Sequence, residues 1–292
     1  MSRLVTAYRG CKILYNFLLS NKEIIRKPFL IPVNVCESVV KTFDETGVPY
    51  KYVDINLTTL CMDEQVVLDL INDISGILFV HTYGIEGNFD DFFIELKTLN
   101  PNLLVIDDKC LCEPSFNEPQ IADLTLYSLG SKKQVKIGVG AFAYVNNVKY
   151  ADYFINQPSF LSNEEWNLDE NLIYLKLLES REIRNSLNQI YKDLLPKEIQ
   201  LQDEFQNWRF NILVDNRDDI LREIFNNGLF ASAHYKPIVS MQNANLLSSK
   251  IINLFNDEYI TIEKTKRICY IINTNLKKTT HERNIGNIIK KR

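Results

Sequence analysis

The chain has 292 residues, with 33 Lys and Arg against 37 Asp and Glu, a formal net charge of -4 and pI near 5.6. That length suits one large domain plus a smaller one. The charge balance offers no basic field for gripping nucleic acid. No apolar run approaches the roughly 20 residues of a membrane helix, and MSRLVTAYRG lacks an apolar signal core, so the expectation is a cytoplasmic protein with neither membrane nor nucleic-acid partner. The six cysteines, at 11, 36, 61, 110, 112 and 269, form no C-x-x-C pair and read as reduced thiols.

In chain order, a helix is predicted over Cys11–Leu19, a short strand over Phe29–Ile31, and a helix over Glu37–Glu45 with Gly47 as its stop. A strand follows at Tyr50–Ile55, a helix at Asp63–Ile74, a strand at Gly76–His81, a helix at Phe89–Leu99 and a buried strand at Leu103–Ile106. Leu124–Tyr127 and Ala141–Val145 read as two more strands, and Glu164–Leu195 as long charged helices. Trp208–Val214 is a predicted strand and Asp218–Asn227 a helix closed by Gly228. Tyr259–Ile262 and Ile268–Ile272 read as two strands, or a strand and a helix. This rhythm predicts an α/β fold: a three-layer α/β/α large domain with a mostly parallel sheet over 1–200, and a small α+β domain over 201–292. Ligands of such sheets lie beyond the carboxyl ends of the strands, which directs attention to the residues after FLIP, LFVHTYG, LLVIDD and LTLYS.

Two of these places carry chemistry. Asp107 and Asp108 end a buried strand, where a lone carboxylate is expensive and calls for a cation, although a cap or turn would also use them. A metal finds no supporting cluster of ligands there, and none is assigned. The loop Ser128-Leu129-Gly130-Ser131-Lys132-Lys133 offers hydroxyls for an anion and lysines suited to Schiff-base chemistry, or simply a solvated surface loop.

Taken together, Thr46-Gly47-Val48-Pro49-Tyr50 to Asp54, Val80-His81-Thr82-Tyr83-Gly84, Asp107-Asp108, Ala122-Asp123, Ser128 to Lys133, Gly140 and His234-Tyr235-Lys236-Pro237 follow an order and spacing that resembles the DegT/DnrJ/StrS sugar aminotransferases. The resemblance runs over about residues 6–275. It implies the type I aminotransferase fold, pyridoxal 5'-phosphate (PLP) as cofactor, and a homodimer. It implies transfer of an amino group from glutamate or a similar donor to a nucleotide-linked keto sugar. A catalytically silent relative that binds a sugar nucleotide, and a PLP sugar dehydratase, are the alternatives. Residue by residue, Lys133 matches the imine-forming lysine, with Lys132 as runner-up. Asp108 matches the acid that pairs with the ring nitrogen, leaving Asp107 to orient the turn. Ser128, Arg9 and Gly10 match phosphate contacts, Cys36 falls where a ring-stacking aromatic is common, and His234 and Tyr235 fall near the substrate. Cys110 and Leu111 stand where a polar residue often faces the cofactor oxygen. His81 is expected to end its strand structurally, and His281 to lie in a solvated tail.

Overall fold

The computed structural model describes residues 2–87, 89–116, 121–146, 148–152, 154, 157–162 and 164–289, with side chains described as far as 277. His281 and the run Lys290–Arg292 lie outside the described side chains. The residues fall into two compact units, 1–178 with 235–245, and 179–234 with 246–292. The sequence boundary at 200/201 lies inside the second unit's range. The last turns of the helix Glu170–Leu194 supply Tyr191 to that unit's core, followed by Leu195.

The first unit is built on a seven-stranded sheet. Its strands are β1 (Arg3–Ala7), β2 (Phe29–Pro32), β3 (Tyr50–Val53), β4 (Gly76–Val80), β5 (Leu104–Asp108), β6 (Leu124–Ser128) and β7 (Ala141–Val145). They lie in the order β1-β7-β6-β5-β4-β2-β3. The run from β6 to β3 is parallel, and β7 is antiparallel to both β6 and β1. The helices are α1 (Gly10–Ser20), α2 (Glu37–Thr46), α3 (Glu64–Asp69) and α4 (Asp90–Leu99), with α5 (Glu170–Leu194) running on into the second unit. Helix α2 ends as its sequence predicts, because Gly47 adopts φ 64, where a Cβ would be strained. On one face of the sheet, Leu14, Phe17 and Leu18 of α1 and Val39 and Phe43 of α2 bury Ile31, Leu78, Ile106 and Leu126. On the other, Phe79 meets Phe92 and Phe93 of α4, while Tyr127 and Phe142 pack with Ile173 and Leu177 of α5. These are the three layers expected of a parallel sheet, whose strands must be covered on both sides.

Several elements differ from the sequence reading. β1 is a strand ahead of the first helix; it was overlooked because an antiparallel edge strand of five residues carries little apolar signal. α3 stops at Asp69, five residues short of the expected end, where Leu70 and Asp73 fold into turns. The expected 164–195 helix begins only at Glu170.

In the second unit, β8 (Phe210–Leu213) pairs antiparallel with β9 (Ile251–Leu254). Helix α6 (Arg217–Asn226) brings Ile220 and Ile224 to the same core. Helix α7 (Gln242–Lys250) has no counterpart in the sequence reading; α8 (Ile262–Ile289) takes the helical alternative at 268–272, and turns replace the strand expected at 259–262. Ile268, Cys269, Ile271 and Ile272 are all buried at helical spacing, so the three- and four-residue intervals decide between the two readings. Among the described residues no helix is long and apolar enough to cross a membrane.

Candidate active site

Where β2 and β4 lie side by side they are bonded only at Phe29–Gly76 and Leu30–Ile77, and beyond Ile31 no pairing continues. The chain leaves β2 toward β3 on one side and returns at β4 on the other, so this is the switch point of the sheet, where a crevice opens at the carboxyl ends. The register fixes what lies along that edge. Val80 pairs with Asp108, Asp108 with Leu126, Ser128 with Ala141, and Ala141 with Ala7. The ends of β4, β5, β6 and β1 therefore line up, bringing Tyr83, Asp108, Ser128 and the start of α1 at Gly10 to one rim.

Alternation along β5 separates the two aspartates. Leu104 and Ile106 belong to the core under α1 and α2, and Asp108 continues that face. Asp107 points to the opposite face. There its Oδ1 accepts from Nε2 of His81 at 2.7 Å, and its Oδ2 lies 3.7 Å from Nζ of Lys109. Nδ1 of His81 lies 2.8 Å from the Ile85 carbonyl. A carbonyl and a carboxylate both need donors, so both ring nitrogens carry hydrogen and the ring is cationic. Burial works against that charge, but the charges of Cys112 and Asp107 outweigh it and hold His81 well above the ordinary histidine range. Burial keeps the Cys112 thiol itself protonated at neutral pH, so Asp107 is the operative partner. His81 thus ends its strand in a structural ion pair, and Asp107 is tied to β4.

Asp108 is 7% exposed. Its Oδ1 accepts the Cys110 backbone N–H at 3.0 Å, and among the described residues it has no ion-pair partner. The Cys110 thiol marks the meeting point of this site. Burial pushes it well above the ordinary cysteine range, the Asp108 charge adds to that shift, and the Lys133 ammonium opposes it. Asp108 and Lys133 therefore bear on one sulfur. Lys133 is half-buried and Lys132 exposed, with the turn closed by the Lys133 N–H donating to the Gly130 carbonyl at 3.0 Å.

The other residues singled out in the sequence are placed as follows. Arg9 is exposed and caps α1 through its backbone only; no side chain satisfies the first amides of that helix. Gly10 opens α1 over Leu126 and Ala141. Cys11, in the first turn, is raised by burial, with contributions from Cys36 and Asp108. Cys36 is exposed at the start of α2, its sulfur 3.2 Å from the Ser38 hydroxyl. Tyr235 returns from the second unit's strands to this one. Burial pushes its phenol up, and the charges of Cys36, Asp108, Tyr83 and Cys110 push the same way. It therefore stays a hydrogen-bond donor throughout the neutral range. His234 belongs to the second unit, where its ring lies 5.6 Å from Trp208 and its N–H donates to Asn253 at 2.6 Å.

The sequence reading gives no site role to Tyr83 or Cys11. Tyr83 is fully buried in a left-handed conformation, φ 59 and ψ 15, which costs a non-glycine residue about 1–2 kcal/mol. Gly84 follows at φ 78, and a Cβ there would come within 2.3 Å of the Leu111 carbonyl oxygen. The triplet T-Y-G at a strand end was the available signal.

No family model and no curated protein matches this chain. Solved structures do. A DegT DnrJ EryC1 StrS aminotransferase from Brucella abortus is 14% identical with TM-score 0.68, covering 93% of this chain and 85% of its own. PseC of Helicobacter pylori, an aminotransferase in pseudoaminic acid biosynthesis, gives 15%, 0.73, 93% and 86%. NtdA of Bacillus subtilis with its cofactor PMP bound gives 19%, 0.73, 94% and 74%. At such identities the likeness speaks for architecture: this chain has the fold of the PLP-dependent aminotransferases, DegT/DnrJ/EryC1/StrS members among them.

Proposed function

We propose that this chain is a PLP-dependent aminotransferase that moves an amino group from glutamate or a similar donor to a nucleotide-linked keto sugar, working as a cytoplasmic homodimer. The observation that carries the reading is Asp108, a buried carboxylate without a cation, on the same rim as Ser128 and sharing the Cys110 thiol with Lys133. An unpaired buried carboxylate is costly, and a protonated ring nitrogen would supply the missing charge. The residues present fit PLP in two further respects. The first amides of α1 have no side-chain cap and suit a phosphate, and Lys133 has no ion-pair partner among the described residues.

When bound, PLP supplies an aldehyde that condenses with amines and a ring that takes up the electrons released at the neighbouring carbon. Nζ of Lys133 would hold that aldehyde at rest and, once released, carry the proton to and from the substrate carbon. Asp108 would keep the ring nitrogen protonated. Ser128, Arg9 and Gly10 would hold the phosphate, and Cys36 would pack beside the ring. Tyr235 would donate to the substrate, with His234 assigned to substrate as well.

Two positions favour a second reading, a relative that binds the sugar nucleotide without transamination. Cys36 offers an exposed thiol in place of a flat ring, and Leu111 is buried where a polar group would serve the cofactor oxygen. Spectroscopy decides between them. The purified protein should show a visible cofactor band that borohydride removes, that Lys133→Ala lacks, and that L-glutamate shifts to the amine form. A protein that stays colourless after incubation with PLP supports the second reading. A band that glutamate leaves unchanged points instead to a dehydratase.

A further inference from the structure

Three loops leave the carboxyl ends of β4, β5 and β6, and they meet at one buried amide. Gln134 directly follows Lys133, is 2% exposed, and its Nε2 donates to the Leu111 carbonyl at 3.0 Å. Leu111 lies three residues past Asp108, on a turn that the Cys112 N–H closes by donating to the Lys109 carbonyl at 3.0 Å. The third partner is Gly84. At φ 78 it leaves no room for a Cβ beside the same carbonyl, and such an atom would lie 3.2 Å from Nε2 of Gln134. The Gly84 N–H donates to the His81 carbonyl at 3.0 Å, which ties the contact to the strand ends held by His81 and Asp107.

Along the lysine loop, Ser131 and Lys132 are exposed, Lys133 is half-buried, and Gln134 and Val135 are buried. Val135 belongs to the apolar cluster of Leu129, Phe142 and Ile173, and apolar contact has no preferred direction. The Gln134 bond does, since it joins one donor to one acceptor over a narrow range of angles. A slip of one residue would break it and move Lys132 into the place of Lys133. That place matters because the Lys133 charge reaches the Cys110 thiol, on which the Asp108 charge also acts. We propose that Gln134 is a positioning residue that sets the register of this loop, so that Lys133 and not Lys132 is presented to the cofactor aldehyde. The assignment rests on the PLP reading given above. Such support is consequential, because a misplacement of about 1 Å can cost roughly 100-fold in rate.

Gln134→Met keeps the length of the side chain and removes the donor, whereas Gln134→Asn keeps the amide but falls one methylene short of the Leu111 carbonyl. The full chain is treated with PLP and then borohydride, and the reduced cofactor is located by digestion and mass spectrometry. In the wild type it should sit on Lys133, and in both variants the ratio of Lys133 to Lys132 should fall about 5-fold, the scale of one lost hydrogen bond. Val135→Ala is the control, because it loosens the same loop and leaves the amide in place. Its ratio should match that of the wild type. A ratio unmoved in the Gln134 variants, or moved as far by Val135→Ala, would overturn the assignment. So would a wild type that carries the cofactor equally on both lysines. Limiting acetic anhydride on the untreated full chain gives a measure that needs no cofactor. The wild type should be acetylated at exposed Lys132 in preference to Lys133, and the Gln134 variants should bring that ratio about 5-fold closer to one. A chain that takes up no PLP yet shows the acetylation shift in the Gln134 variants alone would sink the aminotransferase reading while keeping the register role. PLP uptake with neither ratio moved would do the reverse.

Discussion

On one face of the sheet, Asp107 ends in a closed set of partners: the cationic His81 ring at 2.7 Å, the Lys109 ammonium at 3.7 Å and, behind His81, the Ile85 carbonyl. On the other face, Asp108 is nearly as deeply buried but meets the Cys110 amide and thiol, and its charge pushes up the Tyr235 phenol. Adjacent residues of one type thus meet opposite conditions. One carboxylate is neutralised by the fold, and the other has no cationic partner among the described residues. Burial alone does not distinguish a structural acid from a working one; the presence or absence of a cation does.

Stability separates the two most sharply. Asp107→Ala leaves the His81 cation buried without its carboxylate and should cost about 3–5 kcal/mol in urea unfolding. Asp108→Asn removes a charge that has no partner and should change stability by less than about 1 kcal/mol. Equal losses would erase the distinction. Function should reverse the ranking. On the proposed reading, Asp108→Asn keeps the cofactor band but slows the glutamate-driven spectral change roughly 100-fold, the scale of losing one preorganised electrostatic contact. A full-speed Asp108→Asn would remove that residue from the chemistry.

The smallest effect is in pH. His81 has a folded value above its unfolded value of about 6.5. The stability it confers is complete below about pH 6.5 and is lost as pH rises toward the folded value. Between pH 6.5 and 8, unfolding free energy should fall by up to about 1.4 kcal/mol per unit, and His81→Asn should flatten the slope. The raised Cys61 and Cys112 thiols act in the same direction, but only near and above their ordinary titration range. A slope that survives in His81→Asn would assign the effect elsewhere.

The parallel core was legible because β2, β4 and β5 are apolar runs punctuated by Pro, Gly and Asp, with β2 and β4 leading on to helices. β1 was not legible, since Arg3, Leu4 and Thr6 are exposed and only its pairing with β7 makes it a strand. β9 was hidden in KIINLF, where Asn253 interrupts the apolar residues and the strand lies directly against the polar end of α7. In the site, the spacing of Ser128 and Lys133 and the acidic pair could be found from the chain alone. The His81–Asp107 contact spans 26 positions and exists only because β4 and β5 pair in register, with Phe79 opposite Asp107. Period-two alternation at LVIDD could have told the two acids apart, since only one of them shares a face with Ile106. The left-handed turn at Tyr83 had no signal beyond the glycine after it.

That alternation has a consequence for how this region can change over generations. Substitutions act on the two acids one at a time, but a single inserted or deleted codon within β5 exchanges their roles. The free acid would be driven against His81 and the paired one turned toward the cleft, while every apolar neighbour changed sides as well. Length in these five residues is therefore constrained more tightly than identity.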